Sequence, residues 1–187
     1  MPDIEDRKFS YCQRLSAFDL KCLRVQCPRC TMFFAACCPH ESFGGNMYDP
    51  DVTVCHHVQL VFTDGACSNN GESYAVAGLG IVVGDGELSW SITVDDTMDS
   101  ANAPRTSQRA ELLAAINGLK KLKEVHHCYL DMEKEVNPKK SAARRRARAK
   151  EDHSATYVVV TDSEYVVKGI TEWFPAWRVR LVIQYFY

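Results

Sequence analysis

No stretch of this 187-residue chain approaches the roughly 20 apolar residues that a membrane-crossing helix needs. The first ten residues hold Asp3, Glu5 and Asp6 and no apolar run, which argues against a secretory signal. They also lack the arginine-rich, acid-poor composition of a mitochondrial transit peptide. A strong charge of either sign is missing too. With a net charge of −2, any affinity for nucleic acid must come from local patches rather than from the whole surface. No internal repeat is visible. Hydrophobic residues at 46% and charged residues at 25% are ordinary globular composition, in a chain long enough for one domain with a substantial core.

Cysteine, by contrast, is abundant. Seven of the nine cysteines (12, 22, 27, 30, 37, 38 and 55) fall within residues 1–57, where hydrophobic periodicity is weak. Without a secretory opening, a reducing intracellular compartment is expected, nucleus or cytoplasm. There, clustered cysteines are more often free thiols or metal ligands than disulfides. Cys27-Pro28-Arg29-Cys30 is followed by Cys37, Cys38 and His40, then by Cys55-His56-His57. That spacing makes Cys27, Cys30, Cys37 and His40 candidate zinc ligands. Free thiols packed beneath Phe33, Phe34 and Phe43 are the alternative. Residues 1–57 are read as a Cys-rich amino-terminal region.

From residue 58 the pattern becomes ordered. Residues 58–63 are a β-branched run, read as a strand that stops at Asp64-Gly65. Ser68-Asn69-Asn70-Gly71 is turn chemistry. Residues 74–83 and 87–94 read as two further strands around the turn Gly84-Asp85-Gly86, completing an antiparallel meander. Pro104-Arg105-Thr106-Ser107 opens a helix with Thr106 or Ser107 as cap. Its apolar face is expected to include Ala110, Leu113, Ala114, Ile116, Leu119 and Leu122. Residues 157–161 form an apolar run that suits a strand buried on both faces, parallel to the first. Ser163 can cap a helix starting near Glu164. The order is that of a mixed α/β sheet.

Three acids stand at telling places. If the strands at 58–63 and 157–161 are parallel neighbours, Asp64 and Asp162 emerge side by side at their carboxyl ends, where open α/β sheets bind ligands. A helix crossing that edge can add Glu111. Clustered carboxylates repel one another and call for a cation. Hard oxygen ligands favour magnesium or manganese over zinc.

Four segments resemble the motifs of the type 1 ribonuclease H family, in that family's order. They are Thr63-Asp64-Gly65-Ala66-Cys67-Ser68-Asn69-Asn70-Gly71, Thr106-Ser107-Gln108-Arg109-Ala110-Glu111-Leu112, Val160-Thr161-Asp162-Ser163-Glu164-Tyr165-Val166, and residues 168–178 with Trp173 and Trp177. The resemblance implies a ribonuclease H-like mixed sheet with helices over residues 58–187. It implies an endonuclease that hydrolyses the RNA strand of RNA–DNA hybrids, leaving 5′-phosphate ends. Asp64, Glu111 and Asp162 would be its catalytic metal ligands. By the same resemblance Asn70, Ser107 and Gln108 match minor-groove contacts, Thr106 matches a DNA-phosphate contact, and Trp177 is a candidate to flank the DNA strand. Glu164 stands where the family often has an uncharged residue that touches RNA. A monomer is expected.

The resemblance stops after Arg178. The family would continue with a fifth strand, a loop histidine and a last helix bearing a fourth aspartate, so the domain is expected to be carboxyl-terminally truncated. The alternative function is therefore a weakened or inactive hybrid-binding remnant that lacks the fourth carboxylate. Finally, residues 139–150 carry seven cations and no acid, within a polar stretch at about 123–155 read as a basic insertion. It is expected to be a solvated loop or surface helix, with phosphate contact or nuclear import as its alternative uses.

Overall fold

The computed structural model describes residues 8–11, 13–36, 54–100, 102–136 and 155–173. Its elements are α1 (Leu20–Leu23), β1 (Arg24–Gln26), β2 (Phe33–Ala35), β3 (Val58–Ser68), β4 (Val76–Val82), a 3-10 turn (Gly86–Leu88), β5 (Ser89–Thr93), α2 (Ser107–Val136), β6 (Thr156–Val160), α3 (Glu164–Lys168) and a π turn (Gly169–Trp173). The fold is a mixed α/β sheet with one long helix laid across it. The basic run at 139–150 lies outside the described residues.

β3 is the hub. It pairs antiparallel with β4 and parallel with β6, and Phe62 opposes Val82 on one side and Val160 on the other. Gln59 likewise stands between Phe34 of β2 and Tyr157 of β6, so β2 takes over the β4 side where β4 ends. The hairpin β1–β2 thereby joins the sheet, although residues 24–35 carry little sequence periodicity. β5 lies outside β4. With neighbours along both edges, β3 reads as a nearly unbroken apolar run up to Thr63.

Strand alternation sorts the core into two faces. Val61 packs with Ile81, Val83, Met32, Phe34 and with Leu122 of α2. Leu79 and Ala77 pack under Ala110 and Ala114 of the same helix. Leu60, with half-buried Phe62, Val82, Val158 and Val160, lies on the opposite face with Phe33, Ala35 and Val58.

α2 approaches the sheet closely because small residues line its contact stripe. Ala110, Ala114 and Gly118 recur every four residues, and all three are buried. A Cβ on Gly118 would meet Thr63 Cγ2 at 2.5 Å. A Cβ on Gly65 of β3 would meet the backbone of Ala110 and Glu111 at 2.3 Å.

Several sequence-based expectations are corrected. β3 does not stop at Asp64 but runs on to Ser68, because β4 pairs with it along residues 62–68. β5 begins at Ser89, after the 3-10 turn at Gly86–Leu88. Ile116 and Leu119 are exposed, since the contact stripe follows the four-residue spacing and leaves them on the flank. The helix also continues past residue 122 to Val136. Its later turns have partners: buried His126 meets Gln59 Nε2 at 2.9 Å, and Tyr129 packs on His56 with ring centroids 5.2 Å apart.

A Gly65→Ala substitution drives a methyl group into helix backbone that cannot rotate away. It is expected to cost about 3 kcal/mol or more, read as a lowered urea midpoint at unchanged slope.

Candidate active site

The ladder between β3 and β6 runs from Val58 opposite Thr156 to Phe62 opposite Val160, and Asp64 and Asp162 each follow its end by two residues, Asp64 still within β3 and Asp162 in the bend after β6. Both side chains are exposed at the sheet edge. By alternation Asp64 lies on the Phe62 face, opposite α2.

Glu111 reaches this edge from the helix. Its backbone rests on Gly65, the residue after Asp64. Its Oε2 accepts a hydrogen bond from the hydroxyl of Ser163, the residue after Asp162. Ser163 Oγ also accepts from Val166 N–H at 3.2 Å, capping α3. Ser163 is buried and can hold Glu111 in one orientation.

The three acids do not form a closed ligand set. Among the described residues, the acid, cysteine and histidine side chains whose ligand atoms all lie within 4.8 Å of one another are Cys27, Cys30 and His56, not the three acids. Exposed oxygens on a shared edge nonetheless fit a hard divalent cation, which draws its carboxylates inward and keeps part of its water shell. His56 was not among the candidate zinc ligands, although Cys55-His56-His57 was visible in the sequence. Cys37 and His40 lie outside the described residues, as does Trp177.

The candidate contact residues gather where α2 begins. Asn70 Oδ1 accepts from Ser107 N–H at 2.9 Å, and Gly71 N–H donates to Arg105 carbonyl at 2.8 Å. Thr106 Oγ1 accepts from Arg109 N–H at 3.3 Å. Asn70 and Gln108 are exposed, and Thr106 and Ser107 are half-buried. Asn70 and Thr106 thus already serve as local caps, with the amide NH2 of Asn70 left as a donor group.

An ionic cluster holds the segment leading into the helix. Asp99 receives Arg109 Nε at 3.1 Å and lies 3.1 Å from Arg105, which also reaches Asp96 at 2.8 Å. Sequence reasoning did not find this cluster, since its paired members are six to ten residues apart across an irregular loop. Glu164 is paired with Lys168 at 2.5 Å, one helical turn along, so it does not face solvent as an isolated anion.

Residues 56–137 match the family model for RNase H. Over that stretch the chain is similar to RNase H proteins. The matched stretch contains Asp64 and Glu111. A ribonuclease H of Cyanothece sp. is 32% identical over 123 residues, which is 65% of this chain and 55% of that protein. Ribonuclease H1 of Mus musculus is 28% identical over 120 residues, 64% of this chain and 30% of its own length. The chain thus spans about half the length of the bacterial relatives it matches. A foamy viral protease-reverse transcriptase, solved in complex with dsDNA, aligns at 22% identity over 65% of this chain and 58% of its own, with a TM-score of 0.32. No described helix is long and apolar enough to cross a membrane.

The Asp99 cluster has a pH signature. The hydrogen bond from Arg109 holds its carboxyl below the ordinary carboxylate range. A depressed folded-state pKa adds stability above the unfolded value of about 3.9 and loses it as pH falls through the folded value. Asp99→Asn is expected to cost about 1 kcal/mol at pH 7, with the difference from the unaltered protein vanishing on acidification, read by thermal melts across pH 2–7.

Proposed function

We propose that this chain is a metal-dependent endonuclease that hydrolyses the RNA strand of RNA–DNA hybrids. The observation that supports the reading is the parallel pairing of β3 with β6, which ends two residues before Asp64 and Asp162, together with the hydrogen bond that ties Glu111 to Ser163, the residue after Asp162. Asp64, Glu111 and Asp162 would hold magnesium or manganese. Such ions, when bound, acidify an attacking water and neutralise the leaving oxygen.

The chain's own residues supply position. Asp64 would offer oxygens from within β3 and Asp162 from the bend that follows β6. Ser163 donates to Glu111 and so holds its carboxylate in one orientation. Asn70, Ser107 and Gln108 present amide and hydroxyl groups suited to a minor groove, where the 2′-hydroxyl distinguishes RNA from DNA. Thr106 would take a DNA phosphate and Trp177 would lie along the DNA strand. The pairing of Glu164 with Lys168 blunts the repulsion that a lone acid would exert on phosphate. The cations at 139–150 would add attraction without base preference and steepen the salt dependence. The catalytic unit is assigned to residues 58–187, acting as a monomer in an intracellular compartment.

A second reading is hybrid binding without cleavage. It is favoured by the spacing of the three acids, whose oxygens do not fall within 4.8 Å of one another.

Cleavage of a labelled RNA–DNA hybrid, with magnesium and then with manganese, tests both readings. Cleavage giving 5′-phosphate ends is expected. Asp64→Asn should lower it by at least about 100-fold while leaving circular dichroism and Tm unchanged, because the side chain is exposed and packs against little. Full activity in Asp64→Asn would place the chemistry elsewhere. Tight hybrid binding with no hydrolysis by the folded, unaltered protein would favour the second reading.

A further inference from the structure

Beside the start of β3, away from the acidic edge, lies a second group of ligand-type side chains. The ligand atoms of Cys27, Cys30 and His56 all lie within 4.8 Å of one another. Cys30 Sγ is 3.9 Å from His56 Nε2. Zinc bonds of about 2.3 Å to sulfur and about 2.0 Å to nitrogen set tetrahedral ligand separations of about 3.6–3.8 Å. Side-chain adjustments of less than about 1 Å therefore close the site.

The backbone is already shaped for it. Cys27 and Cys30 occupy the tip of the β1–β2 hairpin, where Cys27 N–H donates to Met32 carbonyl at 3.0 Å and Thr31 N–H donates to Cys27 carbonyl at 2.9 Å. Thr31 takes a left-handed φ of 57°, unusual for a β-branched residue. Gly84 presses on this tip so closely that a Cβ there would sit 2.4 Å from Thr31 carbonyl oxygen. Gln26 Nε2 ties the tip to Asp85 at 2.6 Å. On the other side, the His56 ring lies flat on Phe34 with centroids 4.2 Å apart. Two separate chain segments are thus held with their soft donors facing one another.

The surroundings disfavour leaving these donors bare. Cys27 is buried in the apolar cluster of Met32, Phe34 and Val61, where an uncompensated polar or charged sulfur is costly. A divalent cation would compensate both sulfurs.

We propose that Cys27, Cys30 and His56 bind a zinc ion that staples the β1–β2 hairpin tip to the residue pair preceding β3. Two thiolates and an imidazole suit zinc rather than the hard cations expected at Asp64. The fourth position of the tetrahedron is left to water or another donor. This site differs from the ligand set that sequence spacing suggests, because His56 comes from the segment entering the sheet. It does not depend on hybrid cleavage.

The test uses the full-length chain, purified under reducing conditions without chelator. About one zinc per chain is expected by elemental mass spectrometry. Cobalt exchanged into the protein should give a thiolate-to-cobalt charge-transfer band with the intensity of two thiolates. Cys30→Ser and His56→Gln should each lose the bound zinc, whereas Cys22→Ser and Cys128→Ser, at exposed thiols, should keep it. Removing zinc from the unaltered protein should lower its Tm by several degrees. A folded protein free of zinc that takes up cobalt without that band would overturn the site. So would a Cys27–Cys30 disulfide in the peptide map of the unreduced protein. Both readings come from the unaltered chain, so a variant that fails to fold leaves the outcome decided.

Discussion

The close crossing of α2 over β3 is the constraint on which the rest depends. Where Gly65 meets the Ala110–Glu111 backbone, strand and helix are separated by no side chain at all. That contact delivers Glu111 to the edge that Asp64 occupies. A larger residue at either point would lift the helix and carry its carboxylate away from the strands. The sheet beneath supplies the other half: parallel pairing of β3 with β6 turns a sequence separation of nearly a hundred residues into adjacency.

Polar contacts then refine what packing establishes. Ser163 serves two partners at once, accepting from Val166 N–H to start α3 and donating to Glu111. Asn70 joins the turn after β3 to the first turn of α2. Arg105 and Arg109 converge on Asp99 and anchor the loop between β5 and the helix. The Ser163–Glu111 and Asn70–Ser107 contacts link elements that are distant in sequence, so the candidate site is assembled from tertiary structure rather than from any one segment.

Much of this was legible in the sequence, and the reasons for success and failure are physical. The β-branched runs near 58 and 157 marked the two parallel strands, but only β3 is buried as such a run suggests; β6 was expected to be buried on both faces and instead leaves Thr156 and Tyr157 exposed and its other residues half-buried, because β3 is its one partner among the described strands. Ser163 was recognisable as a cap because an unpaired N–H at a helix start needs an acceptor. The end of β3 was misjudged because Asp64-Gly65 has the composition of a turn, while here the glycine serves a close helix contact within a strand. The length of α2 was underestimated because its later turns bury only scattered residues such as His126, and so show no clear apolar stripe. The β1–β2 hairpin escaped notice because strands of three residues are too short to display alternation. The Cys27–Cys30–His56 cluster needed the fold: no spacing rule relates a hairpin tip to a residue 26 positions later.

Gly65 and Gly118 touch the helix–sheet interface at two places, about 10 Å apart along the axis of α2. The helix therefore behaves like a beam on two supports. A beam with one support can rock; with two, its tilt is fixed as well as its height. Raising either support alone tips the beam about the other. A tilt of about 5° would swing the Glu111 end by roughly 1 Å, a displacement large enough to matter for the carboxylate proposed as a metal ligand. Alignment of the acidic edge is thus set by the levelness of a helix as much as by the acids themselves.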